Sequence, residues 1–424
     1  MASLLPSAGK SSKFIPYLLS CTGHRVQRSF SVRSTQQRKE VLYDAIVVGL
    51  GGHGAASLAA LSRTKGMKIL GIEKEAEDVY DHGSSYGSSR VIRTAYFEDP
   101  RYVPLLQKSL QKWKSLQARH KTLDILKMTG GLMIGKPDST IISGTLSSIK
   151  SHGLQHEYLD ADTIRSRFKN VFDTDDDDIG LYEYDAGYLI PENCIYAYRI
   201  EAKENSAEIY YNEMLTSYTT NNDVDDTITV NTDKGNYRTK KLLLSVGAWA
   251  PSIYGESIPM DLHVERRVQF WFKPTNEENA SLFHDIPIYI YDKGPNNFYG
   301  FPHQNGQDGI KVARHSVTNE PPTSPWNINR NVSSEEIQGM KDLLAQHVPT
   351  LNGELTRAAT CMYTLSSDGH FLLDKHPQNE NVILISACSG HGFKFCPIIG
   401  DIASDLAIEG KTNSDISLFK CRPR

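Results

Sequence analysis

Gly49-Leu50-Gly51-Gly52-His53-Gly54 lies between the apolar run Ala45-Ile46-Val47-Val48 and the helix-compatible stretch Ala55-Ala56-Ser57-Leu58-Ala59-Ala60-Leu61. The order is strand, tight turn, helix. Lacking a β-carbon, Gly49 makes the tight turn, Gly51 lets the backbone approach a pyrophosphate, and Gly54 lets helix and strand pack closely. Free amides at the start of the helix face the phosphate charge. A second strand, Lys68-Ile69-Leu70-Gly71-Ile72, ends in Glu73. An acid roughly twenty residues beyond the first glycine is placed to accept hydrogen bonds from ribose hydroxyls. A bare glycine pattern is weak, but strand, helix and acid together predict a dinucleotide-binding fold.

At 424 residues with 39% hydrophobic side chains, the chain is too long for one average domain, so two interleaved domains are expected. A net charge of −4 supplies no basic surface for nucleic acid, and the expected partners are small molecules. No apolar run approaches the length of about eighteen residues that a membrane span requires. Cys21, Cys194, Cys361, Cys388, Cys396 and Cys421 show neither metal spacing nor a disulfide framework, which predicts a reducing compartment and no metal. Residues 1–40 differ from the rest: Lys10, Lys13, Arg25, Arg28, Arg33, Arg38 and Lys39 stand among serines, with no acid before Glu40. That composition predicts a mitochondrial targeting peptide, the alternatives being a disordered basic tail and a peroxisomal or cytoplasmic location. The C-terminal Cys421-Arg422-Pro423-Arg424 is no peroxisomal address of the Ser-Lys-Leu type. The acidic runs 173–178 and 221–226 read as a solvated loop and a hairpin tip.

Further segments carry chemistry. Gly83-Ser84-Ser85-Tyr86-Gly87-Ser88-Ser89-Arg90-Val91-Ile92-Arg93 is a small-residue loop leading to two arginines. An arginine fork suits a planar carboxylate, because two parallel N–H groups meet two oxygens. Phe298-Tyr299-Gly300-Phe301-Pro302 and Gly309-Ile310-Lys311-Val312-Ala313-Arg314-His315 read as paired strands, with Lys311, Ala313 and His315 on one face. In Cys361-Met362-Tyr363-Thr364, the cysteine and tyrosine share a face in the same way. Ser389-Gly390-His391-Gly392-Phe393-Lys394-Phe395 follows the strand Val382-Ile383-Leu384-Ile385-Ser386-Ala387 and opens a helix at Pro397. Backbone dipoles at such a helix start stabilise negative charge. Lys241-Leu242-Leu243-Leu244-Ser245-Val246-Gly247-Ala248-Trp249 is a buried-type strand ending in a glycine turn.

Together these segments resemble the monomeric sarcosine oxidase family, which includes N-methyltryptophan and pipecolate oxidases, from about Tyr43 to Phe419. The resemblance implies an α/β plus α+β architecture: a Rossmann-like FAD-binding domain interleaved with a mixed-sheet substrate domain, as in glutathione reductase and D-amino acid oxidase. The domains are expected at 41–128, 189–262 and 364–424 for FAD, and at 129–188 and 263–363 for substrate. It implies that Gly49, Gly51, Gly54, Glu73, Gly83, Ser84, Ser89, Arg90, Gly247, Trp249, Met362, Gly390 and Gly392 contact FAD. Cys361 would bond to the 8α position of the flavin, an addition that requires a thiolate near the cofactor. Arg93 and Lys394 would clamp the substrate carboxylate. Lys311 would help reduced flavin react with oxygen, as a fixed cation facing developing negative charge. His315, Tyr299 and Tyr363 would flank the substrate amine. The activity implied is oxidation of a secondary α-amino acid, N-methylated or cyclic, to an imine with release of hydrogen peroxide, by a monomer. Two alternatives stay open: a mitochondrial dehydrogenase that passes electrons to a protein acceptor, and a flavin-binding protein without catalysis. The chain departs from the sarcosine oxidases at Tyr86, Ser88-Ser89, Leu365-Ser366-Ser367 and Cys396, which leaves the particular amino acid open.

Overall fold

The computed structural model describes residues 41–422 apart from 81, 222–225, 318–319 and 387. Residues 1–40, for which a targeting peptide is expected, and the tip of the acidic hairpin therefore lie outside the described residues.

An eight-stranded sheet is built around Leu42–Val48, which lies parallel to Asn236–Leu244 on one side and to Ile69–Ile72 on the other. Glu208–Tyr210 extends the sheet beyond Ile69–Ile72, again in parallel. Along its far edge Asn236–Leu244 pairs with Thr227–Thr232 and, nearer its end, in parallel with Asn379–Ser386. Ala45, Ile46, Val47 and Val48 are all buried, which explains their unbroken apolar character: a central parallel strand is covered on both faces. Helices Gly52–Ser62, Pro191–Glu204 and Cys396–Ile408 pack together on one face of this sheet. The approach is close because Gly54 sits directly on the Gly49 carbonyl, and a β-carbon at Gly400 would stand 2.7 Å from the backbone of Ala56.

The second sheet has nine strands and is mixed. Leu262–Phe272 runs antiparallel between Ile310–Arg314 and Leu355–Ser366. Phe298–Gly300, Ile288–Tyr291, Gly131–Gly135, Ile179–Glu183 and His156–Asp160 continue the sheet, with Ile288–Tyr291 parallel to Gly131–Gly135. Leu355–Ser366 runs past residue 363 without leaving this sheet. Helix Ser334–His347 begins in a reciprocal cap, with Ser333 and Glu336 each accepting from the other's backbone. A three-stranded sheet of Arg90–Ile92, Gly187–Leu189 and Leu126–Met128 carries the arginine segment.

The acidic run differs from a simple solvated loop. Asp176 and Asp177 are exposed, but the Asp178 side chain is fully buried, 3.0 Å from Lys293 and 3.6 Å from Lys136. A carboxylate enters the interior here because two ammonium groups come with it. Among the described residues no helix is long and apolar enough to cross a membrane, and no group of three or more His, Cys, Asp or Glu side chains is arranged to hold a metal.

Candidate active site

Two cavities meet beside the glycine turn. The first is lined by Arg90, Arg93, Tyr299, His315, Cys361, Met362, Tyr363, Gly390, Gly392 and Lys394. The second, about 540 Å³, is lined by Gly49, Gly51, Glu73, Gly83, Gly247 and Trp249. His53, Ser84, Ser85 and Cys388 line both, so one elongated molecule running past them would fill the two together. Gly54 and Ser89 lie behind these walls rather than in them.

In the second cavity, Gly49 has φ 83°, a conformation that a side chain would strain. Glu73 is buried, and its oxygens accept from the amides of Leu50 at 2.7 Å and Glu75 at 3.1 Å. The acid therefore braces the turn as well as facing the cleft. Arg90 holds the next loop in shape, donating to the carbonyls of Ser84, Tyr86 and Ser89 at 2.6–2.8 Å.

In the first cavity, alternation along Leu355–Ser366 brings Cys361 and Tyr363 to the same wall. Gly390 has φ 75°, and a β-carbon there would stand 2.5 Å from the Tyr363 ring, so this loop closes over the tyrosine only as glycine. The His315 and Tyr363 rings are 5.8 Å apart. Burial pulls the His315 imidazole down to about 4, with Lys394, Arg93 and Arg267 adding to the pull against Glu98, so it is neutral at pH 7.

Arg93 and Lys394 both reach this cavity, but Arg93 is already engaged. Its Nη2 donates to both oxygens of Glu98, at 2.7 and 2.9 Å, and its Nη1 donates to the Ala95 carbonyl at 2.8 Å. Burial would raise the Glu98 carboxyl, yet Arg93, helped by His391 and Lys394, holds it down to about 2. Nothing in the sequence spacing singles out Glu98. Lys394 donates to the His391 carbonyl at 2.7 Å. Burial and the nearby guanidinium pull its amine down to about 7, against Glu98.

Lys311 stands one layer further back than its shared strand face with His315 predicts, because the 87–89 loop roofs it. Its amine donates to the carbonyls of Gly87 at 2.6 Å and Ser89 at 2.9 Å, and it is not among the residues that line the cavity. Burial, with Arg90 adding, pushes that amine well below the ordinary lysine value. Gln269 lies over the same loop and does line the cavity; its Oε1 is buried without a partner. The alternation Arg267, Gln269, Trp271 along its strand was the signal for it. Val91, Phe97, Ile141 and Ile290 supply an apolar wall that the sequence reading also missed.

The sequence model of the FAD dependent oxidoreductase (DAO) family matches residues 44–406. The chain belongs to this family. Monomeric sarcosine oxidase of Streptomyces avermitilis is 38% identical to this oxidoreductase over 90% of its chain and 97% of the relative. N-methyl-L-tryptophan oxidase of Salmonella arizonae is 30% identical over 89% and 98%. Among solved structures, NikD, an unusual amino acid oxidase essential for nikkomycin biosynthesis, superposes with a TM-score of 0.77 at 24% identity, over 90% of this chain and 97% of that one. L-proline dehydrogenase from P. horikoshii superposes with a TM-score of 0.76 at 19% identity, over 90% and 97%. These last two likenesses speak for the fold.

FAD is the cofactor of this oxidoreductase, and the residues present fit it. The paired cavities adjoin along shared lining residues, the glycine turn offers helix-start amides to a pyrophosphate, and Ser84 Oγ and Trp249 Nε1 are buried in the lining without partners.

The value near 7 for Lys394 gives a testable pH dependence. An inert carboxylate that depends on charged Lys394 should bind more weakly above pH 7, by up to about tenfold per unit, because the competent fraction falls by that factor. Lys394→Met should bind weakly at every pH, with the slope gone; titration of the flavin absorbance at pH 6 to 9 checks both. For stability, the folded chain releases this proton near 7 and the unfolded chain near 10.5. Unfolding therefore takes up a proton between those values, and this group's contribution to stability rises with pH across that window.

Proposed function

We propose that the chain is a flavoprotein oxidase of secondary α-amino acids, N-methylated or cyclic, yielding an imine and hydrogen peroxide. The observation that carries this reading is the pairing of two buried cations, Arg93 and Lys394, with a neutral His315 and the Tyr299 and Tyr363 phenols in a cavity continuous with the dinucleotide cleft. The cations hold a carboxylate at one end of the substrate and so fix where its amine and α-carbon lie. His315 and the tyrosines receive the amine without putting a positive charge beside it, which favours the neutral amine. FAD, when bound, takes up the equivalent of a hydride. Behind the loop, the buried Lys311 amine takes on or keeps a proton as negative charge develops in the reaction with oxygen. The apolar wall of Val91, Phe97, Ile141 and Ile290 supports substrates with a hydrocarbon ring or side chain beside the small N-methyl amino acids.

The two sheets correspond, in this reading, to a cofactor half and a substrate half, and the protein acts as a monomer. The mitochondrial address rests only on the basic, acid-free N-terminal stretch, and a fluorescent fusion to residues 1–40 tests it. Anaerobic bleaching of the flavin by a panel of N-methyl and cyclic amino acids, followed by peroxide assay on admitting air, tests the activity. Bleaching without peroxide would turn the reading to a dehydrogenase with a protein acceptor, and no bleaching at all to a flavin-binding protein.

Cys361 lies in the wall of the cavity and is proposed to carry the flavin covalently. After acid denaturation and electrophoresis, the wild-type band should fluoresce as flavin, and Cys361→Ala should lose all of that fluorescence. An unlabelled wild-type band would make the thiol structural.

A further inference from the structure

Residues 322–331 leave the second sheet and cross to the dinucleotide cavity. The segment is anchored along its length. Pro322 and Thr323 pair with Glu265 and Val264. Arg266 donates to the carbonyls of Asn329 and Asn331, each at 2.7 Å, and Arg330 donates to the His82 carbonyl at 3.3 Å. At its apex the Asn327 amide donates to the Ser324 carbonyl at 3.2 Å, closing a turn that presents Trp326. Trp326 lines the dinucleotide cavity, and its side of the cavity is wet: the residue is 62% exposed. Its ring meets Trp249 edge to face, with centroids 5.9 Å apart and planes at 76°.

An indole held firmly in place, yet left largely in water at the mouth of a cavity, forgoes the burial its surface favours. The two rings stand nearly perpendicular rather than stacked, and most of the Trp326 surface remains exposed. One face of Trp249 is covered by Lys74, whose ammonium stands 3.6 Å from the ring centroid, and the buried Trp249 Nε1 has no partner. The flat ring of Trp326 and the unused indole N–H therefore meet in one wall of the same cleft, suited to a planar, acceptor-bearing aromatic group. In the proposed function the flavin end lies in the other cavity, beside Cys361, which leaves the adenine end here.

We propose that Trp326 is an adenine-binding residue, stacking on the purine of FAD from the 322–331 strap, with Trp249 donating from the side. This rests on the FAD assignment and adds a contact from a segment that belongs to the substrate half. Base stacking on an aromatic side chain contributes enough that its loss weakens binding roughly tenfold.

The test uses the full chain carrying Cys361→Ala, so that flavin exchange is reversible, with dissociation constants for FAD, ADP and FMN measured by calorimetry. Adding Trp326→Ala should weaken FAD and ADP about tenfold and leave FMN, which lacks adenosine, within twofold; Trp326→Phe should recover most of the loss. Equal binding of all three ligands with and without the indole would overturn the proposal, as would an equal loss for all three. If the Cys361→Ala parent binds FMN and FAD but not ADP, the adenine end lies elsewhere and the proposal falls while the cofactor stands. If the parent binds none of them, the cofactor assignment itself falls.

Discussion

Lys311→Met should slow reoxidation of the reduced enzyme by oxygen about 10²- to 10³-fold, while anaerobic reduction by substrate changes only a few-fold. The lysine is 2% exposed, between the rings of Phe301 and Trp271, and two of its three amine hydrogens go to the carbonyls of Gly87 and Ser89. Burial, with Arg90 adding, disfavours its charge, so the folded chain holds this proton weakly. Negative charge appearing nearby restores that proton's affinity, and in so dry a place the attraction is several times stronger than in water. Methionine keeps the length and apolar stem and deletes only the charge. Stopped-flow traces of the two half-reactions check the split. An equal loss in both would mean that the lysine serves to hold the 87–89 loop, and a melting curve would show it, since the variant removes two hydrogen bonds and leaves the carbonyls only the Ser89 amide and the Arg90 guanidinium.

The second large effect concerns Arg93. Arg93→Met should lower kcat/KM by about two to three orders of magnitude, mostly through KM, because a buried, two-pronged carboxylate contact is lost. Its pairing with Glu98 sharpens the expectation: in the proposed reading, a substrate carboxylate competes with an internal one for the Nη2 of Arg93. Glu98→Gln removes that competing charge and should tighten binding of an inert carboxylate. It should also lower the pH above which binding weakens, because Glu98 raises the Lys394 value and its removal lets the amine lose its proton earlier. If Glu98→Gln weakens carboxylate binding instead, the acid is orienting Arg93 rather than competing for it. Steady-state KM against pH, with the Kd of the inert ligand, separates the two outcomes.

The strand, turn and helix around Gly49 were legible because each glycine there answers a backbone demand visible in one dimension, such as the overlap that any side chain at Gly54 would make with the Gly49 carbonyl. Cys361 and Tyr363 were legible together because strand periodicity is strict. Lys311 was only half legible: its face was right, but its depth depends on a loop more than two hundred residues away in sequence. Glu98 and the apolar wall were not legible, since their place in the site is set by how separate segments fold back on one another. Asp178 was misjudged for the same reason, its two lysines coming from just beyond the ends of strands Gly131–Gly135 and Ile288–Tyr291.

The central strand Leu42–Val48 is completed on one side by residues 238–244, and those in turn by 382–384. Almost the whole chain must therefore leave the ribosome before the first sheet can close. Loop-closure entropy of that size makes folding slow and leaves the early apolar strands waiting for partners. They are the segments on which chaperones would act, and a message truncated anywhere upstream of residue 380 would yield not a smaller working enzyme but an aggregation-prone fragment.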